Sequence, residues 1–242
     1  MQIYNLIVET TRKCNMKCAH CLRGNAQNLT MKDKYMYELL SQVDYISNVT
    51  FSGGEPTLPS AMKVIERFME ICNQLNVDVG SFYIVTNGKV WRNKLPELIN
   101  RLYNFCDDNE ISTIDISGDK FHETDERERN HFKYRLEEEL EYKYGITEIV
   151  SIRPDIDYST VIQEGRGVDV GYGRINEPEE IEIDEFYEDE IVINEGNIYL
   201  NCKGNIVKGC NWSYKSQDKK ENILCKVSDN IEECLKENVE YA

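Results

Sequence analysis

Short apolar, β-rich runs alternate with longer stretches that carry apolar residues at helical spacing, and the alternation persists to about residue 153. Residues 3–9 (IYNLIVE) predict a strand, followed by a polar loop that bears cysteines. Residues 31–45 predict a helix, with Thr30 as its candidate N-cap and Asp33 three positions on. Residues 48–52 (NVTFS) predict a second strand that ends in a glycine pair. Over 60–75, Met62, Ile65, Phe68, Met69 and Cys72 recur at helical spacing, with Ser60 placed to cap. A strand over 81–85, a helix over 94–106 with Pro96 in its first turn, a strand over 112–116, a charged helix over 124–143 and a strand over 147–153 continue the series.

A β-α unit repeated in this way needs a parallel sheet with helices covering it. The predicted fold class is α/β: a partial parallel (β/α)6 TIM-like barrel with a small C-terminal β-hairpin-containing cap. The pattern changes after about residue 160, where Gly165, Gly167, Gly171 and Gly173 punctuate a loop-rich stretch. The acidic run EPEEIEIDEFYEDE (177–190) reads as a solvated loop or edge. GNIYLN and GNIVKG then predict two strands joined by a turn at Lys203-Gly204-Asn205. The expected division is a core over 1–170, an acidic connecting segment with a candidate last barrel strand over 171–194, and a cysteine-containing cap over 195–242.

The chain has 242 residues, 40% of them hydrophobic, enough for one domain with an appendage. No apolar run approaches the ~20 residues that cross a bilayer, and the first residues lack a basic leader with a long apolar stretch. The expectation is a cytoplasmic protein without membrane contact. The net charge of −16 repels phosphate backbones, which disfavours nucleic acid as a partner. In a reducing compartment the nine cysteines point to metal ligation or burial rather than disulfides. Cys72 and Cys106 stand alone in predicted helices and read as core residues.

Cys14, Cys18 and Cys21 form C-x3-C-x2-C directly after the first strand. In a β/α barrel, loops at strand C-termini build the active site. Three thiolates on one loop can wrap a single metal or hold three corners of a [4Fe–4S] cubane, which usually takes four cysteines, so one iron stays open. Zinc is the competing metal, with His20 joining the three cysteines, although adjacent His20 and Cys21 fit poorly around one ion.

Further motifs follow at later strand ends: Ser52-Gly53-Gly54-Glu55-Pro56, Thr86-Asn87-Gly88, and Ser117-Gly118-Asp119-Lys120-Phe121-His122. With the cysteine motif, in this order, they resemble the radical S-adenosylmethionine (SAM) superfamily over about residues 1–170. The resemblance implies a [4Fe–4S] cluster on Cys14, Cys18 and Cys21 whose open iron chelates SAM. It also implies reductive cleavage of SAM to a 5′-deoxyadenosyl radical that abstracts hydrogen from a substrate. Gly53 and Gly54 would then allow backbone to approach the SAM amino group, and Glu55 would accept nearby hydrogen bonds. Thr86 and Asn87 belong to the cofactor wall or to a plain turn. Ser117 and Asp119 would reach ribose hydroxyls or the SAM carboxylate region. Arg153 would pair with that carboxylate or form a surface ion pair. His20 stands where many members have an aromatic residue against adenine, a departure that an imidazole can accommodate by stacking.

Cys202, Cys210, Cys225 and Cys234 supply the number of thiols a second iron–sulfur cluster takes, and NCKGNIVKGCNWSY resembles the start of SPASM and twitch extensions. The dense downstream cysteines of full SPASM domains are missing, so structural zinc and ordinary thiols stay open beside an auxiliary cluster. The expected partners are an electron donor such as flavodoxin or ferredoxin and a substrate of peptide or protein type. The alternatives are a glycyl-radical activase or small-molecule enzyme within the family. Outside it stand a non-catalytic iron–sulfur electron-transfer protein and a zinc-stabilised regulatory module.

Overall fold

The structure, a computed structural model, describes all residues except 123–124, 154–159, 172, 177–180, 187–189 and 239–242, with backbone alone at 182–186, 190, 194 and 195. Five strands alternate with four helices: β1 (Gln2–Thr11), α1 (Asp33–Leu40), β2 (Tyr45–Gly53), α2 (Pro59–Leu75), β3 (Asp78–Thr86), α3 (Leu95–Phe105), β4 (Thr113–Ile116), α4 (Glu126–Tyr144) and β5 (Val150–Ile152). They pair in chain order and in parallel, each joined to the next by a helical crossover, as parallel neighbours require. The chain is therefore α/β with a mostly parallel central sheet.

The remaining strands join the other side of β1. β6 (Glu182–Phe186) and β7 (Glu190–Glu195) pair antiparallel, and β7 meets the start of β1 at Gln2 and Ile3. β8 (Ile198–Leu200) pairs with Leu6–Val8 in parallel, then β9 (Asn205–Lys208) and β10 (Ile223–Lys226) follow antiparallel. The β8–β9 hairpin turns where Asn201 Oδ1 accepts from the backbone N–H of Lys203 and Asn205. Two short helices, α5 (Tyr214–Gln217) and α6 (Ile231–Asn238), complete the described chain. The acidic run 177–190 lies partly outside the described residues.

Helix starts differ from the expectation. Pro59 opens α2 after Leu58, so Ser60 sits inside the helix. Lys32, not Thr30, precedes α1, because Thr30 bridges back to Thr11. α1 also stops at Leu40, since Tyr45 and Ile46 are taken by β2 to pair with Gln2 and Ile3. Strand pairing outweighs local helix preference there.

Strand side chains alternate between two faces. Leu6, Val8, Val49, Phe51, Phe82, Ile84, Ile114, Ile116, Ile198 and Leu200 face the helices in one continuous core, with Phe51 edge-on to Phe68 of α2 at 5.3 Å. Each such side chain contributes roughly 1.5–3 kcal/mol by leaving water. Cys72 and Cys106 lie in this core, where burial pushes the Cys106 thiol up to about 12. The opposite, inner face is polar toward β5. Asn48 Nδ2 reaches Asn5, Ser81 Oγ donates to Asn48, and Tyr83 and Ser151 both donate to Asp115. Toward β9 the inner face becomes apolar, with Ile7, Tyr199 and Val207 packed against Cys210 and Trp212. Among the described residues no helix is long and apolar enough to cross a membrane.

Candidate active site

The loop after β1 carries the three motif cysteines and is pinned at both ends. Thr11 Oγ1 donates to Leu29 O at 2.8 Å, Arg12 N to Leu29 O at 3.0 Å and Gln27 N to Arg12 O at 2.9 Å. The loop after β2 locks onto it: Gly54 N donates to Thr11 O at 2.7 Å and Glu55 N to Lys13 O at 3.0 Å. A Cβ on Gly53 would sit 2.2 Å from Thr11 O, and one on Gly54 would sit 2.0 Å from Lys13 O. The space freed by the missing side chains is thus filled by the cysteine loop's own backbone.

Glu55, buried at 2% exposure, joins the next loop to this pair. Its Oε1 accepts from Thr57 N, Thr57 Oγ1 and Thr86 Oγ1 at 3.0, 2.6 and 2.6 Å, and its Oε2 from Asn87 N at 2.9 Å. Asn87 then extends to the cysteine loop, with Nδ2 at 2.9 Å from Asn15 Oδ1 and 3.9 Å from Cys14 Sγ. Ser117 N donates to Thr86 O at 2.8 Å, so the fourth strand end joins the same surface. Three of the sequence motifs therefore meet the cysteine loop at one edge of the sheet.

All nine cysteines are free thiols. Cys18 is buried, while Cys14 and Cys21 are half-buried. Burial pushes the Cys14 thiol up, against the pull of backbone N–H bonds from Met16 and Asn15 that favour thiolate. Among the described residues, the only set of three or more His, Cys, Asp or Glu ligand atoms within 4.8 Å of one another is His20, Asp119 and His122.

His20 stacks on Phe121 with centroids 4.8 Å apart, and its Nε2 lies 3.6 Å from Asp119 Oδ1. His122 Nδ1 lies 2.8 Å from Asp119 Oδ2. Burial lowers the His20 pKa, outweighing the opposing pull of Asp119. Burial works to raise the Asp119 carboxyl, but His122, His20 and the Phe121 N–H prevail and hold it below its ordinary range. His20 Nδ1 is buried without a hydrogen-bond partner among the described residues, a polar atom free to meet a ligand. Arg153 Nε donates to Tyr83 Oη at 3.0 Å and to Asp115 Oδ2 at 3.2 Å.

Motif-based reasoning passed over four residues that hold the loop. Arg166 Nε donates to Cys18 O at 2.8 Å and its N–H to Cys21 O at 3.0 Å. The neighbouring Gly165 packs so closely that a Cβ would lie 2.3 Å from Leu22 O, and the glycine-dense stretch 165–173 was the available signal. Arg12, fully buried, donates to Glu9 at 2.7 Å, to Gln27 at 3.1 Å, to Asp218 at 3.3 Å and to Gln217 at 2.9 Å. Glu9 also accepts from Tyr199 Oη at 2.9 Å and Cys202 N at 2.9 Å. Arg23 lies over Tyr199.

The C-terminal cysteines separate. Cys202 Sγ donates to Glu9 O at 3.1 Å, and burial drives its thiol far up, favouring the neutral form. Cys225 and Cys234 hydrogen-bond each other, and Cys210 packs against Ile7, Tyr199 and Val207. Among the described residues these four do not assemble into one ligand set.

Residues 7–140 match the family of 4Fe–4S single cluster domains, more than half of the chain, and the chain belongs to that family. It is a member of the radical SAM superfamily of enzymes. An uncharacterized protein of Methanocaldococcus jannaschii is 30% identical over 105 residues, 40% of this chain and 35% of that protein. The mitochondrial GTP 3′,8-cyclase of Arabidopsis thaliana is 33% identical over 106 residues, 38% of this chain and 25% of that enzyme. The chain thus matches about a third and a quarter of these relatives' lengths. The structure of native anSMEcpe with bound AdoMet and Cp18Cys peptide is similar with a TM-score of 0.59 at 14% identity, covering 98% of this chain and 81% of that one. At that identity the likeness concerns the fold.

Proposed function

We propose that the protein binds a [4Fe–4S] cluster through Cys14, Cys18 and Cys21, and SAM at the adjoining strand ends. When bound, these cofactors supply reductive SAM cleavage and a 5′-deoxyadenosyl radical for hydrogen abstraction. The chain's part is to bind, orient and shield. Gly53, Gly54 and Glu55, with Thr86 and Asn87, form the wall beside the cysteine loop, and N–H donors onto Cys14 Sγ favour its thiolate. His20, with Ser117 and Asp119, is the candidate adenosine contact, and Arg153 the candidate carboxylate contact. The observation that carries this is the Glu55 carboxylate, whose four bonds hold two cofactor-side loops together while its own N–H grips the cysteine loop.

A peptide or protein is the proposed substrate class, supported by the peptide held in the similar anSMEcpe structure. A flavodoxin or ferredoxin is the proposed electron donor. The test is anaerobic reconstitution, iron and sulfide counts, and 5′-deoxyadenosine measurement with SAM and reductant. About four irons per chain, lost with alanine at Cys14, Cys18 and Cys21, together with deoxyadenosine formation, is the expected result. Zinc without iron, or iron without deoxyadenosine, would overturn it.

A further inference from the structure

Two arginines flank the cysteine motif, and their surroundings are unlike. Arg12 is fully buried, its three nitrogens bonded to Glu9, Gln27, Asp218 and Gln217. Arg23, two residues past Cys21, is half-buried as a residue, with its guanidinium largely desolvated. Its Nη1 donates to Trp212 O at 2.6 Å, the one hydrogen bond of the side chain among the described residues, and no described carboxylate lies at ion-pair distance. A guanidinium has five N–H donors in a planar fork, so one neutral carbonyl leaves most of that capacity unused. The nearby Glu9 carboxylate is already committed to Arg12, Tyr199 and Cys202.

The guanidinium instead lies over the Tyr199 ring, 4.8 Å from its centroid. Tyr199 belongs to the apolar end of the inner face with Ile7, Val207, Cys210 and Trp212. That aromatic surface fixes the cation and lowers the dielectric around it, which strengthens any bond it makes to an anion. In a chain of net charge −16, carboxylates are abundant, yet among the described residues none pairs directly with this cation, and Glu9 acts on it only from longer range.

We propose that Arg23 anchors an oxyanion of the substrate, a carboxylate or a phosphate, on the inner face beside Tyr199 and Trp212. The planar fork takes either group in bidentate fashion. Its position just after Cys21 holds the bound molecule next to the cluster loop. The anion site stands on geometry alone; calling its occupant the substrate rests on the function proposed above.

Calorimetric titration of the cluster-reconstituted full chain with inorganic phosphate, and separately with glutarate, at constant ionic strength tests the site. Saturable binding of at least one anion is expected. It weakens by about tenfold or more in Arg23→Gln, the factor for one charge-assisted hydrogen bond, and by less in Arg23→Lys. Saturation by phosphate alone assigns a phosphate-bearing substrate; saturation by glutarate alone assigns a carboxylate, as in an acidic peptide. Saturation by neither, or equal affinity in Arg23→Gln, overturns the proposal. Should Arg23→Gln fail to fold, as circular dichroism would show, Arg23→Lys decides, and unchanged affinity there overturns it. Deoxyadenosine measured in the same samples separates the two proposals. Wild-type protein that makes it yet binds neither anion sinks the anion site alone, whereas binding without deoxyadenosine sinks the radical chemistry and keeps the site.

Discussion

Glu55 is a buried carboxylate whose two oxygens accept four hydrogen bonds, so its amide cannot replace it without turning an acceptor into a donor. Glu55→Gln should cost about 2–3 kcal/mol in denaturant unfolding, from a buried donor left unmatched. It should also lower retained iron, because the loops of β2 and β3 lose their shared acceptor. Asp119 gives a pH signature. Its carboxyl is held below the ordinary 3.8, so its stabilising effect is complete above that value and is lost as pH falls through the folded-state pKa. Asp119→Asn should therefore lose stability at neutral pH and show a shallower further loss in acid, read by thermal melts across pH. The cysteine motif and Glu55 were legible because their chemistry is local in sequence. Arg12 was not, since its partners Gln217 and Asp218 lie about two hundred positions away.

The strand-end loops act as elements that grip one another through backbone, and glycine is what allows the approach. Gly54→Ala would force a Cβ to 2.0 Å from Lys13 O. The protein should fold with reduced thermal stability and retain clearly less than the about four irons of one cubane on reconstitution. The junction between β1 and α5 rests on buried charge. Arg12→Leu strands Glu9 without its cation, and a loss of about 3–5 kcal/mol is expected by denaturation. Element order was legible because apolar spacing reports the helix-facing core. Element ends were less so: α1 stops early because Tyr45 and Ile46 find strand partners, a tertiary preference that no local pattern carries.

At the scale of the molecule, the strands after residue 190 extend the same sheet that the parallel units build, on the far side of β1. A fragment ending at residue 195 would uncover the β1 edge at Leu6–Val8 and leave Arg12 without Asp218. Such a fragment should aggregate on expression, measured as the soluble fraction against the full chain. The division of the inner face into a polar and an apolar half is not legible in the sequence, because alternation along short strands shows which side is buried but not what it meets.

The placement of β1 has a further consequence for biosynthesis. This strand emerges first among the described elements, and β2 can pair with one of its edges soon afterwards. Its other edge waits for Ile198–Leu200, about 190 residues later. Throughout translation the nascent chain therefore carries an open strand edge in the middle of its future sheet, a species that invites chaperone binding. Closure of the long loop to β8 is a slow, non-local step, so the sheet is sealed late in folding even though its first strands are made early.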